Sequence, residues 1–290
     1  MTATAPKPFC KWAGGKTALV PQLLDRIPST WNPEIDLYIE PFVGSGALFF
    51  ALRPKNAILN DANRWLMATY RAVRDNVHGL IGRLEILQHL YREQGKAYYY
   101  EIRDAVRPAS ATDVWLETSA EEFIFLNKAG FNGLYRVNAV GKFNVSWGKN
   151  SNAAIYDADN LRLCSAALRD VKLCNEDTLG YGDPAMPFGV STGMLIYCDP
   201  PFTPTSKTSN FTAYTPGGFT YADQIRLLAR AVEWRRQGAH VILSQAADES
   251  LIEQYRRCGF TCDRVQARRA INSKGTGRGP VGEYIIHGGK

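Results

Sequence analysis

Short apolar runs of strand length recur along the chain, and most lead into stretches whose apolar residues fall at helical spacing. Leu37-Tyr-Ile-Glu40 reads as a strand that opens, through Pro41-Phe-Val-Gly44-Ser-Gly46, into Ala47-Leu-Phe-Phe-Ala-Leu52, the start of a helix. Ala57-Ile-Leu-Asn60 is a second strand ending at Asp61, after which Asn63 caps a helix over Arg64–Val73. The helical pattern continues to about Val106, where Arg107-Pro108 stops it, and resumes from about Ala120 to Asn127. The Gly- and Asn-rich segment that follows reads as a hairpin turning near Asn138-Ala-Val-Gly141. Strand patterns return at Val171–Cys174, Met194–Cys198 and His240–Ser244, with a helix over Tyr221–Gln237 and a final strand at Glu283–His287. This alternation at both ends predicts an α/β fold with a mainly parallel sheet, interrupted by an inserted helical and β-hairpin module.

With 290 residues, the chain has room for one large domain or two modest ones. Hydrophobic residues at 45% and charged residues at 21% are those of a globular protein, which sets a disordered chain aside. No apolar run approaches the ~20 residues of a membrane helix, and Met1–Pro8 has no apolar core of a secretory signal. A cytoplasmic protein is therefore expected. The six cysteines form no CxxC pair and the four histidines are isolated, so no metal site is expected. Cys258 and Cys262, four apart, would share a helix face, and free thiols in a reducing compartment account for them.

Charge is unevenly spread. Lys plus Arg is 34 against 28 acids, a net +6. Asn127–Asn150 holds Lys128, Arg136, Lys142 and Lys149 with no acid, and Leu251–Lys290 holds eight basic and three acidic residues. Such segments suit a phosphate backbone, although solubility charge on loops fits the count equally well.

Two motifs carry chemistry. Gly44-Ser-Gly46 after a strand lets backbone approach a ligand, and Asp61 at the end of the next strand can accept hydrogen bonds from ribose hydroxyls. Phe49 occupies the third position of GxGxxG, which favours a nucleoside cofactor without a pyrophosphate. Asp199-Pro200-Pro201-Phe202 follows an apolar strand. Its prolines cannot donate, so the Asp199 carboxylate and Pro200 carbonyl form an acceptor pair beside an aromatic ring. An aromatic amine needs such a pair. Hydrogen bonds from both its N–H groups favour a pyramidal nitrogen whose lone pair is free to attack, and Phe202 stacks the base.

Taken together, the chain resembles the Dam family of DNA adenine-N6 methyltransferases. The resemblance rests on Lys11-Trp-Ala-Gly-Gly-Lys16, Glu40-Pro-Phe-Val-Gly-Ser-Gly46, Asn60-Asp61 with Asn63, and Asp199-Pro-Pro-Phe202. It also rests on Asn132-Gly-Leu-Tyr-Arg136 with Gly141-Lys-Phe-Asn-Val145, and on Arg268-Arg-Ala-Ile-Asn272. It implies a Rossmann-like catalytic domain, residues 1–63 with 157–290, that uses S-adenosylmethionine, and a target-recognition domain over 64–156. Trp12, Lys16, Phe42, Gly44, Gly46, Asp61 and Asp177 match cofactor positions. Asp199, Pro200, Pro201 and Phe202 match the catalytic motif. Lys11, Phe131, Asn132, Leu134 and Arg136 match positions that face double-stranded DNA, with Arg136 reading guanine and Phe131 filling the stack when the target base leaves. Lys128, Lys142 and Lys149 are expected on phosphates. No metal, membrane or obligatory protein partner is implied. The chain departs from the family at Phe202, where tyrosine is usual, at Ser146 for proline and at Asn150 for tyrosine; the last two bear on the family's GATC target. Transfer to cytosine N4, RNA adenine or a protein glutamine, and a decayed DNA-binding homologue, are the competing expectations.

Overall fold

A computed structural model describes residues 5–106, 119–176, 190–201, 219–268 and 280–289. Asp177, Phe202, all but the last four residues of the Gly/Pro-rich stretch Gly180–Gly193, and residues 269–272 lie outside the described residues. The chain divides into two compact units. One, the sheet unit, comprises Lys16–Val43, Leu52–Ala62 and Asp170–Lys290; the other, the helical unit, comprises Met1–Gly15, Gly44–Ala51 and Asn63–Arg169.

In the sheet unit, β1 (Leu37–Glu40), β2 (Asn56–Asn60), β3 (Lys172–Cys174), β4 (Leu195–Cys198), β5 (His240–Ala246), β6 (Thr261–Arg268) and β7 (Pro280–Gly288) form one sheet in the order β3-β2-β1-β4-β5-β7-β6. The first five are parallel, and β7 runs antiparallel to β5 and β6. From β1 the chain steps outward to β2 and β3, then returns on the other side of β1 as β4. That reversal makes the carboxyl ends of β1 and β4 a topological switch point, where open α/β sheets bind ligands. The register Ile39↔Ile196 brings these two ends within one residue of each other, so the chain leaves the sheet at Pro41 and at Asp199 close together.

The strand residues alternate. Ile39, Ile58, Ile196, Cys198, Val241, Leu243 and Ile286 pack with Leu227, Ala231 and Trp234 of α8 (Tyr221–Arg236) and with Leu251, Ile252 and Tyr255 of α9 (Glu249–Arg257). Each of these aliphatic side chains contributes roughly 1.5–3 kcal/mol on leaving water. Residues of opposite parity, Tyr38, Tyr197 and Ile242, are buried too, which is why these strands read as near-continuous apolar runs. Thr220 and Asp223 form a capping box at the start of α8, and Asp248 caps α9. The short α1 (Val20–Leu24) also belongs here.

The helical unit carries α2 (Ala47–Leu52), α3 (Arg64–Asp75), α4 (Val77–Gln94), α5 (Lys96–Ala105), α6 (Ala120–Ala129) and α7 (Ala158–Leu168). Asn63 caps α3 as its sequence predicts, its side chain accepting from the Leu66 N–H. Trp65, Phe123, Tyr135 and Phe143 interlock edge to face or tilted, and Phe125 does so with Tyr91, Tyr98 and Tyr99. Buried polar groups on the helices hold the segment that follows α6. Tyr99 donates to the Val145 carbonyl (3.0 Å), Tyr91 to that of Asn150 (2.8 Å), and Gln88 accepts from the Ile155 N–H (2.8 Å).

The expected hairpin is short. Val137 and Phe143 bridge antiparallel, the Asn138 N–H donates to the Lys142 carbonyl (2.9 Å), and Asn138 Oδ1 accepts from Val140 and Lys142 N–H across Gly141. The single helical stretch expected after Asn63 is three helices, because Asn76 caps a new start and Gly95 at φ +56° breaks the next. α7, α9 and β6 are elements the hydrophobic pattern did not announce. Cys258 and Cys262 do not share a helix face: α9 ends at Arg257, Gly259 at φ +81° turns the chain, and Cys262 lies in β6. Among the described residues, no helix is long and apolar enough to cross a membrane.

Candidate active site

In the sheet unit the site is assembled at the carboxyl ends of the parallel strands. Asp199, the first residue after β4, meets the Lys16 ammonium at 2.7 Å. Lys16 is itself buried, and the Glu283 carboxylate of β7 lies 4.0 Å from it on the other side. Burial pushes the Asp199 carboxyl above its usual range and Lys16 pulls it part of the way back. About a fifth of the Asp199 side chain stays accessible, so the group is desolvated yet reachable. Such a carboxylate is a strong acceptor because little water competes for its lone pairs.

The neighbouring strand ends are stitched together. Asn60, buried at the end of β2, donates to the Pro41 carbonyl (3.0 Å) and the Glu176 carbonyl (3.1 Å) and accepts from the Glu176 N–H (2.9 Å). Val43 N–H donates back to the Asn60 carbonyl (2.8 Å). Asp61 follows, half-buried, with its carbonyl held by Asn175 (2.7 Å). Phe42 packs edge-on against Phe219 (5.9 Å between ring centres). Glu40 is buried and accepts from the Tyr38 hydroxyl at 2.8 Å.

In the helical unit, Trp12 stacks on Tyr135 with ring centres 5.9 Å apart and planes 27° from parallel. Gly44 lies on the same indole: at φ +48°, a Cβ there would stand 2.6 Å from Trp12 Cδ1. Gly46, at φ +68°, leaves equally little room beside the Tyr70 hydroxyl, which donates to the Gly44 carbonyl. These glycines are needed both for their backbone conformation and for close approach. In Gly44→Ala, the left-handed conformation alone costs about 1–2 kcal/mol before Trp12 is displaced. The thermal midpoint of Gly44→Ala, measured by calorimetry, is expected to fall by several degrees. Gly82→Ala, at a position with nothing within 4 Å of a Cβ, is expected not to lower it.

The same unit gathers most of the basic positions. Asn127, buried on α6, ties the Lys11 backbone to the Gly133 carbonyl, and Gly133 at φ +65° has the Lys11 side chain packed over it. Phe131 is 41% exposed, a large fraction for a phenylalanine. Arg136 is exposed and bonded across the hairpin, Nε to Asn144 Oδ1 (2.7 Å) and Nη2 to the Asn144 carbonyl (2.9 Å). Asn132 (φ +54°) and Leu134 are partly buried between them. Lys149 is exposed, and Lys142 Nζ donates to the Asp104 carbonyl (2.6 Å). Lys128 stands apart: it lines a small cleft with Phe9, Tyr156 and Asp157, and burial lowers its pKa. Sequence reasoning missed Glu283, Asn60 as a clamp, Asn127 and Tyr135. The one legible signal among these is a lone acid in the apolar run Glu283-Tyr-Ile-Ile.

A mostly parallel sheet whose strand order reverses at β1 and β4, with Asp-Pro-Pro at the switch point and an acid directly after β2, is an open α/β architecture compatible with a methyltransferase fold. The family model for "D12 class N6 adenine-specific DNA methyltransferase" matches residues 12–271. The type II methyltransferase M.MjaIII of Methanocaldococcus jannaschii is 38% identical over 282 residues, 94% of this chain and 95% of the relative. The type II methyltransferase M1.LlaDCHI of Lactococcus lactis subsp. cremoris is 34% identical over 282 residues, covering 97% and 94%. The DNA adenine methylase of Vibrio cholerae is 31% identical over 279 residues, covering 96% and 94%. The chain belongs to the D12 class of N6 adenine-specific DNA methyltransferases. It is thus an adenine-specific DNA methyltransferase, and the family implies a methyl donor, generally S-adenosylmethionine.

Proposed function

We propose that this enzyme methylates N6 of an adenine turned out of double-stranded DNA, within GATC, with S-adenosylmethionine as donor. The observation that carries the reading is the Asp199 carboxylate, desolvated at the switch point and followed by two prolines. The donor set suits the cofactor: Asp61 can accept from ribose hydroxyls and Phe42 supplies an apolar wall, while Lys16, whose ammonium is held by Asp199 at 2.7 Å, has a cofactor role only through the family resemblance. Trp12, Gly44, Gly46 and Asp177 keep the cofactor roles that the family resemblance gives them. S-adenosylmethionine, when bound, supplies an electrophilic methyl group on a sulfonium sulfur.

The chain's residues do the rest. The Asp199 carboxylate and Pro200 carbonyl accept the two amine N–H bonds of adenine, which localises the lone pair on nitrogen and stabilises the positive charge that develops there. Holding the amine at this point removes much of the orientational cost of the reaction. The amine is paired and stacked in a duplex, so the base leaves the helix first, and the exposed Phe131 is suited to fill the gap. Lys11, Lys142 and Lys149 supply positive charge toward the backbone.

Arg136 is the residue assigned to sequence reading. Its bonds to Asn144 fix the guanidinium plane, leaving the Nη1–Nη2 pair for guanine O6 and N7. Arg136→Ala is expected to lose about 1–3 kcal/mol of discrimination at one base pair. Competition assays across single-base variants of the site check this; an equal loss on every sequence makes Arg136 a phosphate contact instead. The target itself is tested on plasmid from an expressing strain. Protection from a nuclease that cuts only unmethylated GATC supports the reading, and cleavage at GATC with N6-methyladenine present elsewhere moves the target.

A further inference from the structure

The chain leaving β4 is gripped at two points. Lys16 holds Asp199, and the Pro201 carbonyl accepts from Gln224 Nε2 at 3.2 Å. Gln224 sits in the first turn of α8, next to the Thr220–Asp223 capping box, and is 1% exposed. Its Oε1 accepts from Gln245 Nε2 of β5 at 2.5 Å, and Gln245 is 2% exposed. Both ends of the Gln224 amide are therefore used, as a buried amide requires. Their order matters: because Gln245 donates to the Gln224 oxygen, the Gln224 NH2 is the end that faces Pro201.

The torsions of the turn say what this grip achieves. The pyrrolidine rings fix φ at Pro200 and Pro201, and the ring that follows Pro200 confines Pro200 to extended ψ. The soft torsion that remains is ψ of Pro201, which sets the direction of its carbonyl. A bond to that carbonyl from a capped sixteen-residue helix stops the turn from swinging relative to the sheet. We propose that Gln224 is a positioning residue for the Asp199–Pro200 acceptor pair, with Gln245 setting the orientation of its amide. This rests on the reading that the pair receives the adenine amine.

Gln224→Met keeps the side chain's bulk and removes its donor. The expected result is a kcat about 10- to 100-fold lower, the size of effect that a small misplacement of reacting groups produces, with KM for DNA and affinity for S-adenosylmethionine unchanged. Gln245→Met, which removes the orienting bond, gives a smaller fall with the same split. Wild-type kcat in both variants overturns the proposal. So does a parallel loss of kcat, KM and thermal midpoint, which marks the pair as ordinary core residues. If Gln224→Met does not fold, Gln245→Met decides by the same split. Asp199→Ala assayed alongside separates the two claims. Normal turnover there removes the underlying reading, whereas normal turnover in the glutamine variants alone removes only this inference.

Discussion

Asp199→Ala is expected to lower the single-turnover rate of methyl transfer about 10²- to 10³-fold, the loss seen when a preorganised group facing developing charge is deleted. The size follows from the environment. A carboxylate in water would give little, since water accepts hydrogen bonds nearly as well. Here the group is desolvated at a strand end and held at 2.7 Å by a buried lysine, so it is already oriented when the base arrives. The fold is expected to survive, because Lys16 still has Glu283 4.0 Å away to offset its charge. Near-normal thermal midpoint and DNA affinity in the variant confirm that chemistry alone was lost. Turnover within tenfold of wild type would sink the assignment.

Lys16→Met has the second largest expected effect, and it is read in the pH profile. In the proposed mechanism Asp199 accepts as a carboxylate, so kcat/KM is expected to fall as pH drops through its raised pKa. Lys16 opposes that rise, and removing it lifts the Asp199 pKa further. The acid limb of the variant therefore lies at higher pH than that of wild type, and the activity ratio of variant to wild type is lowest at acid pH. Stability runs the opposite way with pH. A carboxyl whose folded pKa lies above its unfolded one loses stability as pH rises through that window, so the variant is least stable at alkaline pH. A buried charge stripped of its partner costs about 3–5 kcal/mol there, less on protonation. Denaturant midpoints across pH check it, and an acid limb that coincides with wild type shows that Lys16 does not govern Asp199.

Much of the framework was legible because its signals are local. β1, β2, β4 and β5 are buried on both faces and announce themselves as apolar runs, while Asn63 and the Pro-Pro pair mark a helix start and a strand end by residue type. β6 was not legible. Among the described residues it pairs only with β7, at the edge of the sheet, and Asp263, Arg264 and Gln266 break any alternation. α7 and α9 are short helices with charged faces whose Asp157 and Asp248 caps were passed over. For the site, motif residues at strand ends were readable, and their supports were not. Gln224 reaches the Pro201 carbonyl, Gln245 the Gln224 amide and Glu283 the vicinity of Lys16, from elements that follow the Asp199–Pro201 turn in the chain. Only the packing of β5, β7 and α8 brings them there. Asn127 likewise looks like any polar residue in a helix until its two bonds to the Lys11 and Gly133 carbonyls are seen.

The proposed contact between Asp199 and the adenine amine is tested most directly by a double-mutant cycle across the interface. Wild type and Asp199→Ala are each titrated with duplexes carrying adenine or amine-lacking purine at the target position, in the presence of a cofactor analogue that cannot transfer. Wild type is predicted to prefer adenine by about 1.5–3 kcal/mol, the worth of a hydrogen bond to a charged group, and Asp199→Ala to bind both duplexes alike. An undiminished preference for adenine in Asp199→Ala would contradict the account.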